Sequence, residues 1–428
     1  MTVPVRERLR AAQAEISDHL ENGILKFWLE HGIDRVCGGY LTGFDERGRP
    51  SDNTDKHVVT QTRMIWGFSR FSRAFPGNVR LRDAAAQGVE FFLKSFWDAA
   101  NGGVYWSVAR DGGVIDAAKL VYGQSFAIYA LAEYTLATGD PRGLQYSEAV
   151  FDLLQKYSVD TYNGGYFENL ESDWRVAEGG AAAGDRKSLD IHMHLMEAFT
   201  GLYQCSGRPI HARKLEEVIN IILDRMVSKQ SGCGLNQFDV RFNPLPAINI
   251  KRTWNAERKA GEVVAAPTDT TSYGHNIELL WLLNRAGEAL GKPVDFYHEV
   301  GRRLAEHTLR HGLDEECGGV YRDGPHDGPA LVHDKEWWQN CESMVGFLDA
   351  FEHFADDRYA EAFLAVWAFA KAKFINREIG EWRQLLDRRG NVIGGDIGNP
   401  WKAVYHSGRA MLECVERLAR LCGAQGRG

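Results

Sequence analysis

The chain has 428 residues, 44% of them hydrophobic, and 58 acidic against 50 basic side chains give it a formal net charge of −8. No basic run stands out and no apolar run approaches the ~18 residues of a membrane-spanning helix, which disfavours nucleic acid, anionic membranes and a transmembrane role. The cysteines (Cys37, Cys205, Cys233, Cys317, Cys341, Cys414, Cys422) are odd in number with no C-x-x-C pair, and Val5-Arg6-Glu7-Arg8-Leu9-Arg10 is charged where a secretory leader is apolar, so a reduced, cytoplasmic protein is expected.

The first predicted element is a single helix from about Val5 to His31. A Gly-Gly-aromatic mark follows at Gly38-Gly39-Tyr40. After a polar stretch, Val58, Val59, Met64, Ile65, Trp66, Phe68 and Phe71 recur at helical spacing, and a second helix runs from about Arg80 to Phe96 beyond the Pro76-Gly77-Asn78 break. The next mark is Gly102-Gly103-Val104-Tyr105, with helices over Lys119–Ala137 and Arg142–Tyr157. Further marks stand at Gly164-Gly165-Tyr166-Phe167 and Gly318-Gly319-Val320-Tyr321, with weaker copies at Gly232-Cys233-Gly234 and Gly380-Glu381-Trp382. The pairs they delimit are roughly 188–206 with 210–228, 273–290 with 294–311, and 335–354 with 357–375. One last helix, Lys402 to Cys422, stands alone.

The marks are separated by 64, 62, 68, 86 and 62 residues, the signature of one supersecondary unit used six times. Ile277-Glu278-Leu279-Leu280-Trp281-Leu282-Leu283 is apolar nearly all round, which suits a helix packed on both sides. Arg213-Lys214-Leu215-Glu216-Glu217-Val218-Ile219 carries an ordinary amphipathic stripe. Inner apolar helices, outer amphipathic ones, and unpaired first and last helices that complete a sixth pair predict an all-α fold. It is an (α/α)6 barrel of six inner and six outer helices, with short β-hairpins at the Gly-Gly turns. An open solenoid is the competing arrangement. The repeat overrides a length prior of two or three domains, so residues 1–428 are read as one catalytic domain. Two segments break the period, Arg241–Thr271 and Asp323–Pro329, and both are candidates to cover a barrel mouth.

The repeat also sorts polar residues, because those opening the inner helices converge on one mouth. They include Lys56 and Arg63, Tyr122 and Gln124, His192 and His194, His275 and Glu278, Trp338 and Glu342, and Lys402 with His406. His275 and Glu278 are three apart and share a helix face. Buried charges are rare unless paired, so Arg63, Glu278 and Glu342 are expected to partner one another or a histidine. His192-x-His194 points its two rings apart, and there is no H-E-x-x-H or cysteine cluster, so no metal is expected. A G-x-S-x-G elbow, a phosphate loop and a dinucleotide fingerprint are all missing. Glycoside hydrolysis needs two opposed carboxylates, for which Glu278 and Glu342 are the nominees. A non-catalytic sugar-binding barrel stays open beside it, since twelve Trp and fifteen Tyr supply aromatic platforms.

Six segments resemble the N-acylglucosamine 2-epimerase superfamily, and within it the cellobiose 2-epimerases: GGYLTGFD at Gly38, DKHVVTQTRMIWGFS at Asp55, HMHLMEAFTGLY at His192, SYGHNIELLWLL at Ser272, KEWWQNCESMVGF at Lys335 and WKAVYHSGRAMLE at Trp401. Their order and spacing cover nearly the whole chain. The resemblance implies an (α/α)6 barrel and a cofactor-free interconversion of gluco and manno configurations at the 2-position of a reducing sugar. It also covers aldose–ketose isomerases acting on mannose-type monosaccharides. It implies that His275 and His406 are the acid/base pair, that Glu278 orients one of them, that Arg63 stabilises charge on the carbonyl oxygen, and that His194 helps open the ring. By the same matching, Tyr122, Trp281, Trp338, Glu342 and Trp401 bind sugar hydroxyls and faces. The Ser-Tyr-Gly lead into His275 points to the disaccharide branch, whereas Ala403-Val404 and Ser407 depart from its usual Cys-Pro and Asn. Members occur as monomers and homodimers.

Overall fold

The computed structural model of the chain describes residues 3–179, 184–245 and 271–423. Among them, twelve α-helices follow in chain order: α1 Val3–Asp18, α2 Val58–Ala74, α3 Val79–Ser95, α4 Val121–Thr138, α5 Pro141–Tyr157, α6 Leu189–Ser206, α7 Pro209–Ile221, α8 Tyr273–Ala289, α9 His298–His307, α10 Trp337–Phe354, α11 Asp357–Phe369 and α12 Val404–Gly423. The even-numbered helices each pack on the next, and α12 packs on α2, so the inner ring closes. The odd-numbered helices back them from outside, with α1 taking the sixth outer place against α12 and α11. Burial follows the apolar pattern. Every residue of α4 from Val121 to Tyr134 is buried, while α5 buries only a stripe of Gly143, Ser147, Val150, Phe151 and Leu154. This is an (α/α)6 barrel, and the closed ring excludes the open solenoid.

Element ends differ from the sequence pattern in two ways. Several outer helices run on through wider turns, as at His19–Leu25 and Trp28–Gly32 after α1, and Ala370–Phe374 after α11. The predicted inner-helix starts at Lys119, Lys335 and Lys402 fall before the helices. Lys56–His57, Lys119–Leu120, Arg186–Ser188, Thr271–Ser272 and Lys335–Glu336 are short strands. Each pairs antiparallel with a segment beyond the next mark, as in Lys56↔Val108, Lys119↔Leu170 and Lys335↔Leu386.

The marks are hairpin turns. Bridges join Ile33 to Tyr40, Trp97 to Val104, Val159 to Tyr166, Val227 to Gly234 and Leu313 to Val320, and Ile375 pairs with Trp382 in the sixth copy. Gly102 and Gly103 hold φ of 74° and 71°, a left-handed backbone that side chains resist. The lysine before the inner helix reaches back to the same turn. Lys119 pairs with Asp98 at 2.7 Å, Lys187 with Asp160 at 2.8 Å, Lys335 with Asp314 at 2.9 Å and Lys56 with Asp34 at 3.1 Å, all buried. Five residues after that lysine, a polar side chain accepts the backbone N–H following the glycines: Gln61 from Tyr40, Gln124 from Val104, His192 from Tyr166 and Asn340 from Val320. In the fourth copy Thr271 replaces the lysine and Asn276 accepts from Gly234. Lys402 likewise reaches Glu381 of the sixth mark at 3.5 Å, so Lys56, Gln124, His192 and Lys402 clamp turns, and their side chains do not line the mouth.

Of the long fourth interval expected to cover the mouth, residues 246–270 lie outside the described residues. In the second loop, Asp323–Gly324 pairs with Thr271–Ser272, and the His326 carbonyl accepts from His307 Nε2 at 3.0 Å, on the outer-helix side.

Candidate active site

The N-terminal ends of the inner helices open onto a pocket of about 490 Å³, a size that suits a small ligand. Every inner helix contributes: Arg63 from α2, Tyr122 from α4, Asp190 and His194 from α6, His275 and Glu278 from α8, Trp337 and Trp338 from α10, and His406 from α12. Trp401, the strand residues Ile393 and Gly394, and Gly395 and Asp396 after them also line the pocket, with Arg322 and Glu336. Eight of the ten side chains expected in the site thus line one pocket. Trp281 and Glu342 stand behind it, both fully buried.

His406 is organised from behind. Its Nδ1 lies 2.7 Å from Glu342 Oε1. Glu342 also accepts from Arg409 Nη2 at 2.8 Å and from Trp281 Nε1 at 3.2 Å. Burial pushes the Glu342 carboxyl up to about 8 against the pull of Arg409; in its carboxylate form it accepts all three bonds, which places the His406 proton on Nδ1 and the lone pair on Nε2. Burial, then the charges of Arg63, Arg409, His194 and His275, push His406 well below the ordinary histidine range. It stands neutral, with a free base nitrogen.

His194 is the opposite case. Glu197 Oε2 lies 3.0 Å from its Nδ1 and Asp190 Oδ1 lies 3.3 Å from its Nε2. Burial alone would depress it, but the bonds to Asp190 and Glu197 push it up to about 9, so it is an imidazolium at neutral pH. His275 shares Asp190, its Nε2 lying 3.4 Å from the same Oδ1. Ser272 caps α8 by accepting from the His275 N–H. The Trp338 ring lies 4.6 Å from the His275 ring and 5.9 Å from the His406 ring, so both imidazoles flank one indole. Trp338 is itself held by its Nε1 donating to Glu336 at 2.8 Å.

Arg63 donates to the Tyr122 hydroxyl at 2.9 Å and to the Trp401 carbonyl. Arg409 is the hub of the buried charges. It donates to Glu197 and Tyr405 through Nη1, and to Glu278 Oε1 at 2.6 Å and Glu342 through Nη2. Glu278, Glu342 and His406 place ligand atoms within 4.8 Å of one another, close enough to hold a cation. The guanidinium of Arg409, bonded to both carboxylates, already supplies a positive charge there. Glu278 lines the pocket, and its buried Oε2 makes no hydrogen bond among the described residues, an unsatisfied acceptor at the wall.

The sequence profile of the N-acylglucosamine 2-epimerase (GlcNAc 2-epimerase) family matches residues 38–410. The chain belongs to that family. A cellobiose 2-epimerase of Bacteroides fragilis is 28% identical over 410 residues, covering 94% of this chain and 98% of its own. A D-mannose isomerase of Marinomonas mediterranea is 22% identical over 408 residues, covering 94% and 96%. The solved cellobiose 2-epimerase of Spirochaeta thermophila superposes with a TM-score of 0.85 at 29% identity, covering 98% of this chain and 100% of that one. This member of the N-acylglucosamine 2-epimerase family is thus an isomerase of the sugar-epimerase class. No helix among its described residues is long and apolar enough to cross a membrane.

Sequence reasoning passed over Asp190, Glu197 and the hub role of Arg409. The signal was present: Asp190 is four residues before His194 and Glu197 three after it, both on its helix face. Arg409 likewise stands three after His406.

Proposed function

We propose that this chain is a cofactor-independent sugar 2-epimerase that interconverts glucose- and mannose-type reducing ends, with β-1,4 disaccharides such as cellobiose as preferred substrates. The observation that carries the reading is the presence of His406, bare at Nε2, and His275 in one pocket, both rings against that of Trp338. In the open-chain sugar, His406 removes the proton on the 2-carbon, and the C–H electron pair forms the double bond of an enediolate. The charge developing on the carbonyl oxygen is met by Arg63, a donor fixed by its bonds to Tyr122 and Trp401. His275 returns a proton to the opposite face and the carbonyl re-forms, leaving His406 protonated and His275 ready as base for the reverse reaction. His194, charged, assists ring opening by giving its proton to the ring oxygen. Glu278 accepts from a sugar hydroxyl, and Trp338 and Trp401 offer ring faces to the sugar. Names among the relatives support a cellobiose-like substrate.

Glycosidase chemistry fits less well. Glu278 and Glu342 share one Arg409 nitrogen and lie within 4.8 Å, short of the ~6.5–9.5 Å of an inverting pair. The deciding experiment follows deuterium incorporation at the 2-position by NMR, with cellobiose, glucose and mannose in heavy water. Both epimers should gain one deuterium, fastest with cellobiose. His275→Ala and His406→Ala should each slow this by roughly 10²–10⁴-fold. Exchange that survives both substitutions overturns the mechanism. A ketose product would identify an isomerase, released glucose a glycosidase.

A further inference from the structure

Asp190 sits in the first turn of α6, where an acidic residue ordinarily serves only the helix dipole. That end is already capped, because Ser188 Oγ accepts from the Ile191 N–H at 3.3 Å. The Asp190 side chain lines the pocket instead, and its single oxygen Oδ1 lies 3.3 Å from His194 Nε2 and 3.4 Å from His275 Nε2. An ionised carboxylate accepts and cannot donate, so each of these nitrogens carries a proton. At His194 the other nitrogen faces a second carboxylate, Glu197 Oε2 at 3.0 Å, and a ring with an acceptor on both sides holds two protons.

We propose that Asp190 is a positioning residue that couples His194 to His275 through one carboxylate oxygen, keeping His194 doubly protonated and a proton on His275 Nε2. The inference deepens the epimerase reading and rests on it for its catalytic meaning. His194 can then act as the acid of ring opening, and His275 is loaded as the proton donor while His406 is the bare base. The charges around His194 divide. Asp190 and Glu197 on α6 and Glu278 on α8 favour its imidazolium. Arg63 on α2 and Arg409 on α12 carry the opposing positive charge, His406 on α12 is neutral, His275 on α8 shares Asp190, and the Tyr122 ring of α4 lies 5.2 Å from the His194 ring edge-on. Burial alone would neutralise Asp190, but His275 and His194 outweigh the desolvation and keep its carboxyl well below the usual range.

The test is nitrogen-15 NMR of the histidine rings in the substrate-free full chain, with His194→Gln and His275→Gln spectra for assignment. In the wild type His194 should show two protonated nitrogens at pH 7.5. In Asp190→Asn its titration midpoint should fall by about one pH unit or more, and the basic limb of the kcat/KM profile for cellobiose epimerisation should move down with it. Asp190→Glu, which keeps the charge, should restore most of the shift. A His194 that is neutral at pH 7.5 in the wild type overturns the proposal without any variant, as does a midpoint unmoved in a folded Asp190→Asn. The ring titrations need no substrate, so the coupling can fail while 2-position exchange persists, and exchange can be missing while the coupling holds.

Discussion

Trp281 shows how a residue changes meaning once its neighbours are known. By resemblance it is a sugar platform, yet its ring is fully buried, its Nε1 donates to Glu342 and the Arg409 guanidinium lies 4.8 Å over it. Trp281→Phe keeps an aromatic ring and removes the indole donor to Glu342, favouring the protonated form that burial already favours behind His406. Steady-state kinetics should give a kcat lowered about tenfold, the worth of one hydrogen bond to a charged group, with KM changed less than about twofold. A raised KM at unchanged kcat would return Trp281 to the binding surface. His194 makes a second prediction at this scale. Its folded value of about 9 lies above the ordinary 6.5, so the stabilisation is fully present below about pH 6.5 and is lost as pH rises through about 9. Urea unfolding of the wild type at pH 6.5 and 9.5 should differ by on the order of 2–3 kcal/mol, and Glu197→Gln should shrink the difference. The settings of His406 and Glu278 were hard to read in sequence because their partners lie on other helices: Glu342 is 64 positions from His406 and Arg409 is 131 from Glu278.

At the scale of the element, periodicity was highly legible. Apolar spacing and the recurrent glycines locate all six inner helices, since close packing on two sides leaves no polar face. What stayed hidden was the wiring of each turn. Asp34, Asp98, Asp160 and Asp314 all stand four residues before their Gly-Gly mark, a regularity that carries a buried lysine pair in each case but looks like ordinary turn composition. The same blindness put His192 beside His194 as a candidate for the mouth, although it occupies the clamp position of Gln61, Gln124 and Asn340. The turns themselves can be tested through two glycines of nearly equal φ. Gly103 holds 71° and a Cβ there would meet Trp174 at 2.5 Å, whereas Gly139 holds 76° with nothing within 4 Å. Gly139→Ala should cost only the backbone strain, about 1 kcal/mol. Gly103→Ala adds overpacking of a further ~1–3 kcal/mol. Equal losses in urea midpoint for the two variants would mean that the marks tolerate side chains and serve only as loose connectors.

At the scale of the molecule, closure is what turns a repeat into a site. Six helix ends face one pocket only if α12 packs on α2 and the gap behind it is filled, and α1 fills it. Leu9 and Ile16 on α1 are fully buried, Arg6 donates to the Cys422 carbonyl at 2.9 Å, and Trp367 on α11 donates to Glu15 at 2.9 Å. A terminal helix in an open array would fray, because it has a neighbour on one side only. Here it is held by the far end of the chain, so its loss should register globally. Leu9→Ala should therefore cost about 2–5 kcal/mol, comparable to Leu280→Ala in the inner helix α8, where the side chain is equally buried. Amides of α1 should exchange with deuterium as slowly as those of α8, since both open only when the ring opens. Fast exchange across α1 with a Leu9→Ala cost under about 1 kcal/mol would show that the first helix is an appendage. The inner ring would then have to hold His406 in register with His275 without it.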